Sequence, residues 1–177
     1  MPSYMEREIR EQPSVLRKLL EAEISAVEQI AAAVRDFGPC FAIMVARGSS
    51  DNAALYGKYL FGAVNRIPVA LAAPSLFTLY KAPPDISKAL LVAISQSGQS
   101  PDLLEVVKSG REQGAVTIGI TNDPSSPLAA LCQWVIPLHA GAERSVAATK
   151  SYTAQLMALA MLSAVLDGRA ELRDDLA

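Results

Sequence analysis

Five short apolar runs divide the chain: FAIMVA (Phe41–Ala46), PVALA (Pro68–Ala72), ALLVAIS (Ala89–Ser95), AVTIGIT (Ala115–Thr121) and QWVIPL (Gln133–Leu138). None alternates cleanly between polar and apolar positions. Near-continuous runs of this kind are what parallel strands covered on both faces require. Between and around them the period changes. SVLRKLLEAEISAVEQIAAAV places Leu16, Leu20, Ile24, Val27, Ala31 and Val34 at three- and four-residue intervals, one apolar helical stripe. NAALYGKYLFGAVN and LLEVVKSGREQG read as helices as well, the second closing at Gly114, where a helix end takes a left-handed residue. SVAATKSYTAQLMALAMLSAVL is apolar on most sides and reads as a buried helix. Strand and helix in alternation predict an α/β fold, a doubly wound parallel sheet with right-handed crossovers. Residues 1–13 form a polar lead-in arm ending at Pro13, residues 14–167 one domain, and residues 168–177 a helix end and linker-like tail.

The bulk numbers narrow the partners. The chain has 177 residues, 51% hydrophobic and 19% charged, which suits one globular domain with a sizeable core. A net charge of −2 lacks the basic footprint of a nucleic-acid or anionic-membrane binder. The N-terminus has no apolar signal-like core, and LMALAMLSAVL is too short to span a bilayer. Cys40 and Cys132 match no metal spacing and read as two buried free thiols in a reducing compartment, so a cytoplasmic location is expected.

Ligands of open α/β sheets bind beyond the carboxyl ends of the strands. The loops there read RGSSDN, SQSGQSPD, TNDPSSP and AGAERSVAATK, all rich in small polar residues. After the third run, Ser100 suits a helix N-cap, Pro101 the first helical position and Asp102 the first turn. The free N–H groups of that helix point into the loop. With the hydroxyls of Ser95 and Ser97 and the amide of Gln96 they make a pocket of neutral donors fit for a phosphate monoester. Gly98 permits a positive φ or close backbone approach. An ordinary capped turn would use the same residue types. The first loop tips the balance, since Gly48, Ser49 and Ser50 stand at a second strand-to-helix junction. Arg47 reads equally as a charged contact or a solvated loop residue. No GxGxxG follows the first run, and there is no GxxxxGK[ST] and no metal-ligand cluster. No cofactor or metal is expected. His139, with no evident partner, reads as structural rather than as a general base.

The segments MEREIREQP, ARGSSDNAALYGKYL, ISQSGQSPDLLE, TNDPSSPLA and ERSVAATKSYTAQ, in this order and spacing, resemble the sugar isomerase (SIS) domain. The likeness is to the first half of the isomerase unit of glucosamine-6-phosphate synthases and related amino-sugar phosphate deaminases and isomerases. It runs from Met5 to about Leu166. It implies a flavodoxin-like, three-layer α/β/α sandwich around a five-stranded parallel sheet. It also implies that Ser95, Gln96, Ser97 and Ser100 hold a sugar phosphate, that Gly48, Ser49 and Ser50 sit close by, and that Val146 and Ala148 line the sugar. Two departures, Arg47 in RGSS and Ala148 in VAATK, resemble the deaminase-like branch. Pro2 stands where a glutaminase domain needs its nucleophilic Cys, so glutamine-derived ammonia is not expected.

In such relatives two SIS halves stand in tandem, and the second supplies the base. Within this chain the candidates are Glu143, as a base, and Lys150, as an ion-pairing residue or a group approaching the sugar. The leading expectation is a phosphosugar-binding SIS domain of an isomerase or deaminase, its ligand a hexose phosphate such as fructose-6-phosphate or glucosamine-6-phosphate. The alternatives are a non-catalytic sensing or regulatory module and a structural half-domain. The apolar LMALAMLSAVL helix suggests a homodimer or association with a second half.

Overall fold

The computed structural model describes residues 3–168. The expected tail from residue 169 onward lies outside the described residues. In chain order the elements are α1 (Tyr4–Phe37), β1 (Phe41–Ala46), α2 (Ser49–Leu60), β2 (Val69–Leu71), α3 (Pro74–Thr78), β3 (Ala89–Ser95), α4 (Pro101–Gln113), β4 (Val116–Thr121), α5 (Pro127–Leu131), β5 (Trp134–Pro137) and α6 (Lys150–Asp167). The strands form one five-stranded sheet, every pairing parallel, in the order β2-β1-β3-β4-β5. From β1 the chain moves outward to β2, then crosses back to β3 on the other side of β1. The C-terminal ends of β1 and β3 therefore flank the topological switch point, where loops diverge and leave a crevice.

Each of the apolar runs contains a strand; β1, β3 and β4 are covered on both faces, whereas Ala70 and Leu71 of the edge strand β2 are exposed. Ala42, Met44, Ala46, Leu90, Val92 and Ile94 pack with α1, α2 and α6 on one face. Ile43, Val45, Ala89, Leu91 and Ala93 pack with α3 and α4 on the other. All seven residues of β3, the central strand, are buried. The short helices α3 and α5 were not anticipated. Each starts at a Pro in its first turn and spans five residues, too short for a helical period to register.

Four expectations are corrected. Pro13 does not end a lead-in arm. Helix α1 starts at Tyr4 and continues through Pro13, with Ser3 Oγ accepting from Glu6 N at 3.1 Å to cap it. Proline usually marks a boundary because it removes a donor, but here tertiary contacts at Glu8 and Glu11 hold the preceding turns helical. In the first half of α1 the buried positions are Val15 and Leu19, with Leu16 and Leu20 partly buried beside them, while Val27, Ala31 and Val34 are buried as expected. Cys132 is buried, but Cys40, in the bend just before β1, is exposed. Finally, α6 is buried as expected but packs within the chain, against α1 and α2. Its apolar surface is therefore not by itself a reason for self-association.

Among the described residues no helix is long and apolar enough to cross a membrane. His139 does find a partner, with Nε2 2.6 Å from Glu23 Oε1 on α1. That contact ties the turn after β5 to the long helix.

Candidate functional site

A cavity of about 290 Å³ opens at the switch point. Its floor is the β3–α4 turn. Ser95, the last residue of β3, is buried, and its Oγ accepts from Gly98 N at 3.0 Å. The chain then turns through Gly98 at φ +64. A Cβ at Gly98 would lie 2.2 Å from Ser126 Oγ and 2.5 Å from Ser126 Cβ, so glycine is needed for space as well as for φ. The turn is tied sideways, since Asn122 N donates to Gln96 O at 3.1 Å and Leu128 N to Gly98 O at 3.2 Å. Ser100 occupies the N-cap position of α4, and its carbonyl accepts from Leu103 and Leu104 N–H. Its side chain makes no capping bond, contrary to expectation. The Ser100 hydroxyl is thus left to the cavity, which it lines together with Ser97 and Gln96.

The wall comes from the β1–α2 junction. Gly48, at φ +58, turns the strand into α2, and Ser49 and Ser50 follow as its first residues. Ser50 is buried, its Oγ accepting from Gln155 Nε2 at 2.9 Å across to α6. Gln155 is 2% exposed, and its Oε1 has no hydrogen-bond partner among the described residues. Arg47 stands at the rim and pairs with Asp102 in the first turn of α4. The pair fastens the β1 loop to the helix whose N-terminus faces the cavity.

The remaining side is a hoop running from Glu143 to Thr149. Ser145, Val146 and Ala148 line the cavity from it, and Val146 is fully exposed. Glu143 also lines the cavity, but its carboxylate is already engaged. Oε1 accepts from Thr149 N at 2.9 Å and Ser151 N at 3.1 Å, and Oε2 accepts from Ser151 Oγ. Those groups are the start of α6, so Glu143 serves as its cap and closes the hoop on itself.

The fold brings nine of the sequence-predicted residues to one cavity: Ser95, Gln96, Ser97, Ser100, Ser49, Ser50, Glu143, Val146 and Ala148. Gly48 lies between two lining residues. Lys150 is not brought to the cavity. It is 4% exposed, faces the neighbouring space beside Glu8 and Glu11, and places Nζ 2.5 Å from Glu11 Oε2. Sequence reasoning missed Ser151, Gln155 and Glu8. Glu8 had a readable signal, because extending the stripe of Leu19 and Val15 back by one heptad puts a carboxylate on the core face.

The SIS domain profile matches residues 42–165. The chain belongs to the SIS domain family. This SIS domain is 38% identical over 172 residues to a glutamine–fructose-6-phosphate aminotransferase (isomerizing) of Thermus thermophilus, a match spanning 96% of this chain and 28% of the relative. A solved structure from Silicibacter pomeroyi, described as that of a candidate phosphosugar isomerase, superposes with a TM-score of 0.95 at 38% identity, over 99% of this chain and 54% of that one. The C-terminal domain of the glucosamine-fructose-6-phosphate aminotransferase of Francisella tularensis superposes with a TM-score of 0.80 at 29% identity, over all of this chain and 50% of that one. The chain thus spans about half of those solved chains and just over a quarter of the Thermus relative.

Among the described residues, the ionisable side chains lining the SIS cavity are Arg47 and Glu143. No group of three or more His, Cys, Asp or Glu side chains gathers in metal-binding fashion among the described residues.

Proposed function

We propose that the cavity binds the phosphate and sugar of a hexose phosphate, and that the domain is the substrate-holding unit of a phosphosugar isomerase or amino-sugar-phosphate deaminase. The observation that carries this reading is the hydroxyl-lined turn Ser95–Ser100 at the N-terminus of α4, at the switch point of the sheet. A phosphate seated there meets the free N–H groups and positive dipole end of α4 together with the hydroxyls of Ser97 and Ser100. Ser95 holds the turn through Gly98 N as well as facing the cavity. The sugar extends toward Ser49, Ser50, Val146 and Ala148.

Moving a proton between C1 and C2 of the open-chain sugar needs a base poised near neutral pH. Glu143 is spent on capping α6, and Lys150 on Glu11. Glu143 is therefore assigned to shaping the hoop, and the base to a second SIS unit, either a following half or a second copy of this chain. The length of the relatives supports that assignment. Fructose-6-phosphate and glucosamine-6-phosphate are the ligands of choice, and the unpaired thiols favour the cytoplasm.

Calorimetric titration tests the reading. The full chain binds both hexose phosphates but not fructose or glucosamine lacking the phosphate. Ser95→Ala with Ser97→Ala weakens binding by at least about tenfold, since hydrogen bonds to a charged group are the stronger ones. Equal affinity for phosphorylated and free sugars, or an unaffected double variant, refutes the phosphate cradle.

A further inference from the structure

We propose that Glu8 is a positioning residue that holds the Glu143–Thr149 hoop over the cavity from outside, so that the first two turns of α1 act as part of the sugar site. The proposal rests on the phosphosugar reading above. Glu8 is 4% exposed and lies 136 positions before the backbone it serves. Its Oε1 accepts from Arg144 N at 2.6 Å and its Oε2 from Ser145 N at 3.2 Å. Ser145 Oγ then donates to Ala147 O at 2.7 Å, which passes the constraint to the tip of the hoop. Glu143 grips the other end through Thr149 and Ser151. Val146 and Ala148 sit between the two carboxylate anchors, and both line the cavity. Lys150 and Glu11 form an adjacent ion pair, and Arg7 and Arg144 stack on Tyr4 at 4.6 and 5.7 Å. The N-terminal turns of α1 are thus tied to the hoop by the Glu8 hydrogen bonds and the Arg144–Tyr4 contact, and to the start of α6 by the Glu11–Lys150 pair. A surface turn of helix would need none of them. The hydrogen bonds of Glu8 go to the hoop and not to the β3–α4 cradle, so the two halves of the site can be perturbed separately.

Two measurements on the full chain test this, with Glu8→Gln as the variant. Gln keeps the size but sets an amide NH₂ against a backbone N–H. Amide hydrogen exchange at Arg144 and Ser145 accelerates by about tenfold or more, while exchange in Ala89–Ser95 is unchanged. Affinity for glucosamine-6-phosphate falls by about tenfold, while affinity for inorganic phosphate, read by the cradle alone, stays within about twofold. Glu8→Asp, which keeps the charge but is one methylene short, shows the same split if Glu8→Gln folds poorly. Unchanged exchange overturns the proposal. So does accelerated exchange with undiminished sugar-phosphate affinity. Equal losses for sugar phosphate and inorganic phosphate overturn it too, because they mark a general stability role. If the unmodified chain binds inorganic phosphate but shows no preference for the sugar phosphate, the phosphosugar reading fails and the positioning role with it, whereas the exchange ratio still reports whether Glu8 holds the hoop.

Discussion

Replacing Gly98 with Ala should damage the site and the fold together, and its size can be worked from geometry. Two penalties apply. A left-handed φ of +64 costs a residue with a Cβ about 1–2 kcal/mol. The new methyl would also overlap Ser126, which is 1% exposed and caps α5 through Ala129 N at 3.3 Å. Because that side chain is fixed, relief must come from backbone movement, an overpacking cost of about 1–3 kcal/mol. Gly38→Ala provides the comparison. Gly38 has φ +63 at the end of α1, but a Cβ there meets nothing within 4 Å, so only the conformational cost applies. At roughly 3 °C per kcal/mol for a chain of this size, Gly98→Ala lowers Tm by about 10 °C and Gly38→Ala by about 4 °C. Thermal unfolding followed by circular dichroism measures both. Gly98→Ala should also lose phosphate affinity, which Gly38→Ala should keep. Equal Tm values for the two variants would show that Ser126 yields freely and would refute the steric reasoning.

Other expectations follow from the same geometry. Burial pushes the Cys132 thiol up to about 12, while Cys40 is exposed. At pH 8 a thiol reagent should therefore label Cys40 alone in the native chain and both cysteines in denaturant; rapid double labelling of native protein would contradict the burial. Glu143→Gln removes a charge from the start of α6 and should cost about 1–2 kcal/mol in a denaturant titration. A neutral result would mean that Glu143 is not a structural cap and would restore it as a base candidate. Hydrogen bonds from Ser145 and Arg144 hold the Glu8 carboxyl below its ordinary value of 4.5, and those from Ser125 and Ser87 do the same for Asp123 and Asp85 against 3.8. Folded values below unfolded ones give stability that is complete above the unfolded values and fades as pH falls through the folded ones. Tm should decline below about pH 4.5, less steeply in Glu8→Gln. Identical slopes would exclude Glu8 from the acid response.

Much of the site was legible because its signals are local. Gly98, Ser100 and Pro101 declare a tight turn entering a helix, and that turn forms the floor of the cavity where we place the phosphate. The ion pair expected as one role of Lys150 is present, with Glu11 as its partner, whereas the capping role of Glu143 was not legible. A carboxylate three residues before the cavity-lining Val146 reads the same whether it is free or capping. Only the return of the chain onto Thr149 and Ser151 decides between them. Lys150 faces away from the cavity because Glu11 lies behind it, and that contact spans 139 positions.

Residue order alone was enough for the strands, the burial of the central ones and the tight turn entering α4, because these depend on residue type within a few positions. It was not enough to show that α1 runs through Pro13, that α6 is covered by α1, or that Cys40 faces solvent. Those outcomes depend on which distant surface arrives. Glu8 shows the reason most plainly. A carboxylate near the start of a helix is ordinarily solvated, and it becomes a buried anchor only because two backbone N–H groups of a remote hoop come to it.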